Sequence, residues 1–186
     1  YKDDDSEQWK FDIAANVQAI CEEEIVKVFE LTKQLVPETD NCVYMGGVAL
    51  NCVANSIIAR DHYPNLWILP NPGDAGSSLG CAAYVFGEHI NWTSPFTGYD
   101  ITGRYPRKKV LNELLKGNIV GVANGRAEFG PRALGNRSLL ADPRGHEIKD
   151  RVNEIKHRQK FRPFAPSVLE EYAHEIFDMP VRKSQF

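Results

Sequence analysis

The 186-residue sequence predicts an α/β layer fold. Short apolar runs alternate with longer stretches of helical periodicity, and Gly or Pro closes most of the short runs. Residues 9–36 predict a long helix: Ala14, Val17, Cys21, Ile25, Val28, Leu31 and Leu35 recur at helical spacing, while Glu22, Glu23, Glu24 and Lys27 decorate the other side. Pro37 ends it. Residues 41–45 predict a short buried strand closed by Gly46-Gly47, residues 50–60 a helix, and residues 66–69 a second strand stopped by Pro70 and Pro72. Residues 75–90 predict a further helix. Residues 91–106 hold Trp92, Pro95, Gly98, Gly103 and Pro106 without periodicity and predict a linker. Beyond it the pattern predicts a helix over 107–116, a strand over 118–123, a strand at 139–141 and a helix over 146–155. An extended stretch over 163–168 and a last helix over 169–177 follow. Two domains result, 1–98 and 107–186, with no internal repeat.

Charge divides the chain in the same way. The formal net charge of −3 conceals five Lys/Arg against fifteen Asp/Glu in residues 1–103, and fifteen against six in residues 104–162. The basic part calls for an anionic partner, and the acidic part for a solvated surface or a basic one. Nucleic acid is disfavoured, because the basic residues are mixed with Gly, Pro and apolar residues instead of lining one helical stripe with exposed aromatics. With 42% hydrophobic residues the chain can bury a core, yet no run is long enough to span a membrane. No secretory signal opens the chain and residue 1 is Tyr, so the sequence reads as an internal piece of a longer polypeptide. Cys21, Cys42, Cys52 and Cys81 form no CxxC pair or Cys/His cluster and are expected as reduced core residues of a cytoplasmic protein. In that compartment the sequon at Asn91-Trp92-Thr93 goes unused.

Residues 125–138 carry the densest chemical signal. Arg126, Arg132 and Arg137 lie among Gly125, Gly130, Gly135 and Pro131, directly after an apolar run. Glycine allows tight turns and close approach, and arginine presents a rigid fork matched to phosphate or carboxylate oxygens. The stretch therefore predicts a pocket for a small phosphorylated anion, against the plainer reading of a solvated surface loop. Two strand–loop–helix turns add to it: Met45-Gly46-Gly47-Val48-Ala49-Leu50-Asn51, and Asn71-Pro72-Gly73-Asp74-Ala75-Gly76-Ser77-Ser78. Helix N-termini favour phosphate, and turns at the ends of neighbouring strands converge on one crevice. Asp74 reads either as a helix cap or as a metal or nucleotide ligand.

Five stretches together resemble the carbamoyltransferase family of nodulation-factor and antibiotic biosynthesis: "FDIAANVQAICEEE", "GGVALNCVANSII", "NPGDAGSSLGCA", "GRAEFGPRALGNRSLLADPRG" and "VNEIKHRQKFRPFAPSV". They cover nearly all of the chain after residue 10. The resemblance implies the end of an actin/sugar-kinase/Hsp70-like (ASKHA) module, of the kind used by tRNA threonylcarbamoyl-transfer proteins, followed by part of a YrdC-like α/β module. It implies that carbamoyl phosphate and ATP are joined into carbamoyl adenylate, and that the carbamoyl group passes to a hydroxyl or amine of a small-molecule acceptor with the help of iron or another divalent metal. Residue by residue, Asp74 matches the metal ligand, and Gly46, Gly47, Asn51 and Gly76 the nucleotide loop. Arg126, Arg132, Arg137 and Ser138 fall where carbamoyl phosphate and ATP contacts are expected. Lys156, Arg158 and Arg162 resemble the Lys-x-Arg signature of YrdC-like domains; without the resemblance this stretch reads as a solvated charge run. Arg132 and Arg137 are expected to share a pocket with Lys156 and Arg158.

One departure matters. The family's metal site also uses a His-x-x-x-His pair, and His62, His89, His146, His157 and His174 include no two four residues apart. The metal would be completed by residues outside this chain, and the piece alone is expected to be inactive. A tRNA-modifying protein of the threonylcarbamoyl type and a non-catalytic nucleotide- or anion-binding module are the rival readings. A homodimer is compatible with the sequence.

Overall fold

The computed structural model describes residues 8–178. The chain divides into two compact units; among the described residues the first holds those up to Ser78 together with Phe177 and Asp178, and the second runs from Leu79 to Ile176. The architecture is mixed α/β with three two-stranded sheets.

The first unit opens with α1 (Gln8–Leu35), followed by β1 (Asn41–Tyr44), α2 (Cys52–Asp61) and β2 (Asn65–Ile68). β1 and β2 are parallel, with Asn41 opposite Asn65 and Tyr44 opposite Ile68, and α2 supplies the crossover that a parallel pair requires. Side chains alternate across a strand, so Cys42, Tyr44 and Leu66 share one face. They pack there with Ile25 and Val26 against Phe29, Ile58 and Tyr63. The Phe29 ring meets Tyr44 edge-on at 5.1 Å and Tyr63 at 5.8 Å. Both helices thus cover the same side of the sheet. The opposite side carries Val43, 67% exposed, and Trp67, 41% exposed.

Tyr63 is buried in this cluster, and its hydroxyl has no hydrogen-bond partner among the described residues. A buried polar atom without a partner carries a desolvation cost that its removal relieves. Tyr63→Phe is therefore expected to leave stability unchanged or raise it by about 1 kcal/mol in urea unfolding. A clear loss of stability would show that the hydroxyl is satisfied after all.

The helix expected from residue 75 onward is α3 (Ser77–Phe86), preceded by a 3-10 turn over Asp74–Gly76. It stops short of residue 90 because Gly87 takes a left-handed φ of 72° while its N–H still bonds Ala83 O at 3.0 Å. The second unit then presents β3 (Phe96–Ile101), α4 (Arg107–Leu115), β4 (Val120–Ala123), β5 (Gly125–Glu128), β6 (Arg137–Leu140), α5 (Ile148–Ile155) and α6 (Ala173–Ile176). β3 pairs antiparallel with β5, and β4 antiparallel with β6.

Several expectations change here. Phe96–Ile101, inside the expected linker, is a strand; Phe-Thr-Gly-Tyr-Asp-Ile has no apolar alternation to announce it. Gly98 lets β3 lie close to β5, since a Cβ there would sit 2.8 Å from that of Ala127. The first four residues of the expected arginine loop are β5. Gly125, at φ 65°, turns the chain out of β4 and into a different sheet. Residues 163–168 carry no regular secondary structure, and the last helix is a 3-10 turn over Glu170–Tyr172 running into α6. The cysteines are free thiols, and the expectation that all four are core residues changes: Cys42 is half-buried against the core cluster, Cys21 is half-buried, and Cys52 and Cys81 are exposed. Partial burial pushes the Cys42 thiol above its ordinary value. No helix among the described residues is long and apolar enough to cross a membrane.

Candidate functional site

In the first unit the two glycine-bearing turns meet. Both follow the C-terminal ends of parallel, adjacent strands, and the Gly46 N–H donates to Pro72 O at 2.8 Å. Gly46 takes φ 120°, a conformation that side chains rarely adopt. Neither Gly46 nor Gly47 has an atom within 4 Å of where a Cβ would sit, so both lie open to approach. Asp74 is exposed in the second turn. It is not the cap of the 3-10 turn it begins: Gly73 holds that position, and the Asp74 carboxylate has no hydrogen-bond or ion-pair partner among the described residues. The capping role expected as one alternative for Asp74 is therefore taken by Gly73.

Asn51 and Gly76 have firm structural duties. Asn51 caps α2, accepting from the Ala54 N–H at 3.3 Å, and ties α2 to α1 by donating to Gln18 Oε1 at 2.9 Å. Gly76 is buried, and a Cβ on it would lie 1.8 Å from Asn71 O.

The arginine stretch folds around a residue that the sequence gives no reason to single out. Glu128, at the end of β5, accepts from three backbone N–H groups on one carboxylate oxygen: Leu134 at 2.9 Å, Asn136 at 2.8 Å and Arg137 at 3.1 Å. Burial pushes this carboxyl upward, but those N–H groups together hold it below the usual carboxylate range. The Gly135 N–H donates to Ser138 Oγ at 2.9 Å. The curled backbone is the kind of N–H nest that binds anions, and its occupant is the chain's own carboxylate.

Arg137 is likewise engaged. Nη1 donates to Asn124 O and Gly125 O at 3.2 Å each and to Asn136 O at 2.8 Å, while Nη2 donates to Tyr99 O at 2.8 Å. These carbonyls belong to β3, to the β4–β5 junction and to the residue before β6, so the guanidinium staples the two small sheets. Arg126 and Arg132 are exposed and have no side-chain partner among the described residues. Arg126 stands opposite Asp100 in the ladder.

The third basic group lies just past α5. Among the described residues Asn153 is the fully buried polar side chain of this unit. Its Oδ1 accepts from Arg158 Nε, and its Nδ2 donates to Lys160 O at 3.1 Å and Arg162 O at 3.0 Å. Arg158 Nη2 donates to Pro163 O at 3.1 Å, and the guanidinium lies 4.2 Å from the centre of the Phe164 ring, a cation–π contact. Arg158 and Arg162 line one open depression with Glu154, His157, Gln159 and Lys160. Arg126, Arg132, Arg137 and Lys156 are not among its lining residues. The expected shared pocket is thus replaced by a fixed staple at Arg137, two free forks at Arg126 and Arg132, and a separate basic depression around Arg158.

Among the described residues no three His, Cys, Asp or Glu side chains are placed to hold a metal ion. Asp74 alone is not a ligand set for iron, which takes several converging donors.

Two family models match the chain in order: Carbamoyltransferase N-terminus over residues 1–83, and Carbamoyltransferase C-terminus over residues 111–186. The chain is 34% identical over 205 residues to an uncharacterized protein of Synechocystis, a match covering 92% of this chain and 33% of that protein. It is 34% identical over 198 residues to nodulation protein NolO of Bradyrhizobium diazoefficiens, covering 91% of this chain and 36% of NolO. With the 3'-hydroxymethylcephem-O-carbamoyltransferase of Amycolatopsis lactamdurans it shares 35% identity over 185 residues, 87% of this chain and 35% of the enzyme. The chain thus spans about a third of the length of the curated relatives it matches.

Proposed function

Because the chain belongs to the carbamoyltransferase family, we propose that it forms part of an enzyme that carbamoylates a hydroxyl or amine of a small-molecule acceptor, using carbamoyl phosphate and ATP by way of carbamoyl adenylate. The observation that supports this reading is that Arg158, Lys160 and Arg162 line one open depression, beside Glu154, in the part of the chain that matches the C-terminal family model. Building an acyl adenylate gathers several phosphates at one place. Fixed cationic forks stabilise the negative charge that develops there and need no reorganisation during the reaction. Arg126 and Arg132, unpartnered and exposed, can reach a phosphate, and the Ser138 hydroxyl can donate to one while accepting from Gly135. We assign Arg137 to holding the loop's shape, not to the ligand.

In the first unit the reading gives the Gly46-Gly47 turn to a nucleotide phosphate and the Asp74 carboxylate to the transfer half-reaction. A divalent metal there would need ligands beyond those described, and no step is routed through one. The ASKHA-like and YrdC-like modules named by the resemblance, and a cytoplasmic location, belong to the same proposal.

Carbamoyl-phosphate-dependent exchange of pyrophosphate into ATP, measured on the protein extended to the length of its relatives, tests the reading. Arg162→Ala is expected to lower exchange ten- to a hundred-fold, about 1.5–3 kcal/mol for a hydrogen bond to a charged group. Asp74→Asn is expected to lower carbamoyl transfer and spare exchange. Equal loss of both half-reactions in Asp74→Asn would point to a folding defect, and exchange indifferent to Arg162 would reject the assignment of the depression.

A further inference from the structure

We propose that Asn153 is the positioning residue of the basic depression, acting on a phosphate-bearing ligand through Arg158 and through the backbone of residues 160–162. The proposal rests on the reading of that depression as a phosphate site.

The C-terminus of α5 sets the geometry. His157 has φ 49°, the left-handed conformation that glycine usually supplies at this point. The His157 N–H bonds Glu154 O at 2.9 Å and the Arg158 N–H bonds Asn153 O at 3.0 Å. This is the paired 5→2 and 6→1 pattern of a Schellman cap, with Lys156 at the C-cap. The backbone of Asn153 therefore holds Arg158 at its main chain, while the side chain of Asn153 holds Arg158 at Nε.

Only one orientation of the Asn153 amide satisfies its surroundings. Turned over, it would set an NH2 against the Arg158 N–H donor and an oxygen against the carbonyls of Lys160 and Arg162. Both Nδ2 donors and Oδ1 are thus engaged. No other side chain of this length offers one acceptor and two donors. Asp keeps the acceptor but faces two carbonyl oxygens with none of the donors. Leu keeps the shape and none of the polarity.

The consequence falls on Arg158. Nε is fixed by Asn153, Nη2 by Pro163 O, and one face of the planar guanidinium by the Phe164 ring. Both Nη1 donors have no protein partner among the described residues, on a side chain that lines the depression. A fork pre-set in this way loses little side-chain entropy when it meets a phosphate, whereas a free arginine must be ordered on binding. The same amide also fixes the backbone on which Lys160 and Arg162 are mounted. Asn153 thereby sets the geometry of all three cationic residues without touching the ligand.

The test uses the full 186-residue chain with inorganic phosphate and ATP as probes, in calorimetric titrations at low salt. Asn153→Asp and Asn153→Ala are each expected to weaken binding at least ten-fold. Arg158→Lys keeps the charge but removes the fork, and is expected to cause a similar loss. The double variant of Arg158→Lys with Asn153→Asp should lose clearly less than the sum of the two single variants, because they share the Arg158 fork, while the part of the Asn153 effect carried by the backbone of residues 160–162 remains. In nitrogen-15 NMR without ligand, the wild-type Arg158 Nε–H should be shifted and slow to exchange, and Asn153→Ala should abolish this. Fully additive losses, or unchanged binding in a folded Asn153→Asp, would overturn the proposal. If the wild-type chain binds neither probe, the reading of the depression falls, and the proposal with it.

Discussion

Replacing Gly76 by alanine is expected to disrupt the first unit at the turn that carries Asp74. A Cβ at this position would lie 1.8 Å from Asn71 O and 3.0 Å from the Asn71 carbonyl carbon. Both are backbone atoms, so no rotamer change relieves the clash, and the 71–76 turn must shift. Forcing atoms into a packed site costs typically 1–3 kcal/mol and more when backbone is displaced; for Gly76→Ala we expect about 3 kcal/mol or more. Gly73→Ala is the control. Its Cβ would meet nothing within 4 Å, and its φ of −80° suits alanine, so it should change stability by less than about 1 kcal/mol. Urea unfolding of the two variants decides the matter, and equal midpoints would refute the steric account. The shift should also break the Gly46 to Pro72 hydrogen bond, which an increased exchange rate of the Gly46 amide would report.

A comparable effect is expected in the second unit from Glu128→Ala. The substitution removes the acceptor of the Leu134, Asn136 and Arg137 N–H groups at once. Hydrogen bonds to charged groups contribute about 1.5–3 kcal/mol each, and water reaching this half-buried site replaces part of that, so a net loss of about 2–4 kcal/mol is expected. Glu128→Gln keeps a neutral acceptor oxygen and should lose roughly half as much. Acid should imitate the substitution. A carboxyl held below its ordinary value stabilises the fold above the unfolded-state value, and that stabilisation disappears as pH falls through the folded-state value. Amide protection at residues 134, 136 and 137, taken relative to the intrinsic exchange rate at each pH, should therefore fall on acidification in the wild type and show no such step in Glu128→Gln. Identical acid profiles for the two proteins would remove Glu128 from its role.

The outcome for the sequence reading follows from what periodicity can and cannot carry. α1, β1, α2 and β2 were legible as elements from their periodicity, but the stripe expected to bury α1 is not the buried one: Val17, Val28, Leu31 and Leu35 are exposed, and Phe29, outside that stripe, packs with Ile58 and Tyr63. β3 and β5 were not legible, because they pair through backbone groups with little apolar alternation. The arginine stretch announced its chemistry by density, but not how its members divide the work. Arg137 binds the carbonyl of Tyr99, 38 residues earlier, and no local pattern encodes a contact at that range. Glu128 and Asn153 escaped notice for a related reason. A single Glu in a basic stretch and a single Asn on an amphipathic helix have no motif, and their importance lies in the groups that surround them. The faint available signals were that Glu128 is the lone acid among the arginines, and that Asn153 stands five residues before Arg158.

The bare side of the β1–β2 pair has a thermodynamic consequence. Parallel sheets are ordinarily covered on both faces, and here Val43 and Trp67 already meet solvent in the native state. Surface that is wet before unfolding adds nothing to the heat capacity of unfolding, which is set by newly hydrated apolar area. Covering this side with further polypeptide would raise that heat capacity and narrow the stability curve around its maximum. The isolated unit instead follows a flatter curve, in which warming and cooling alter its stability only gradually.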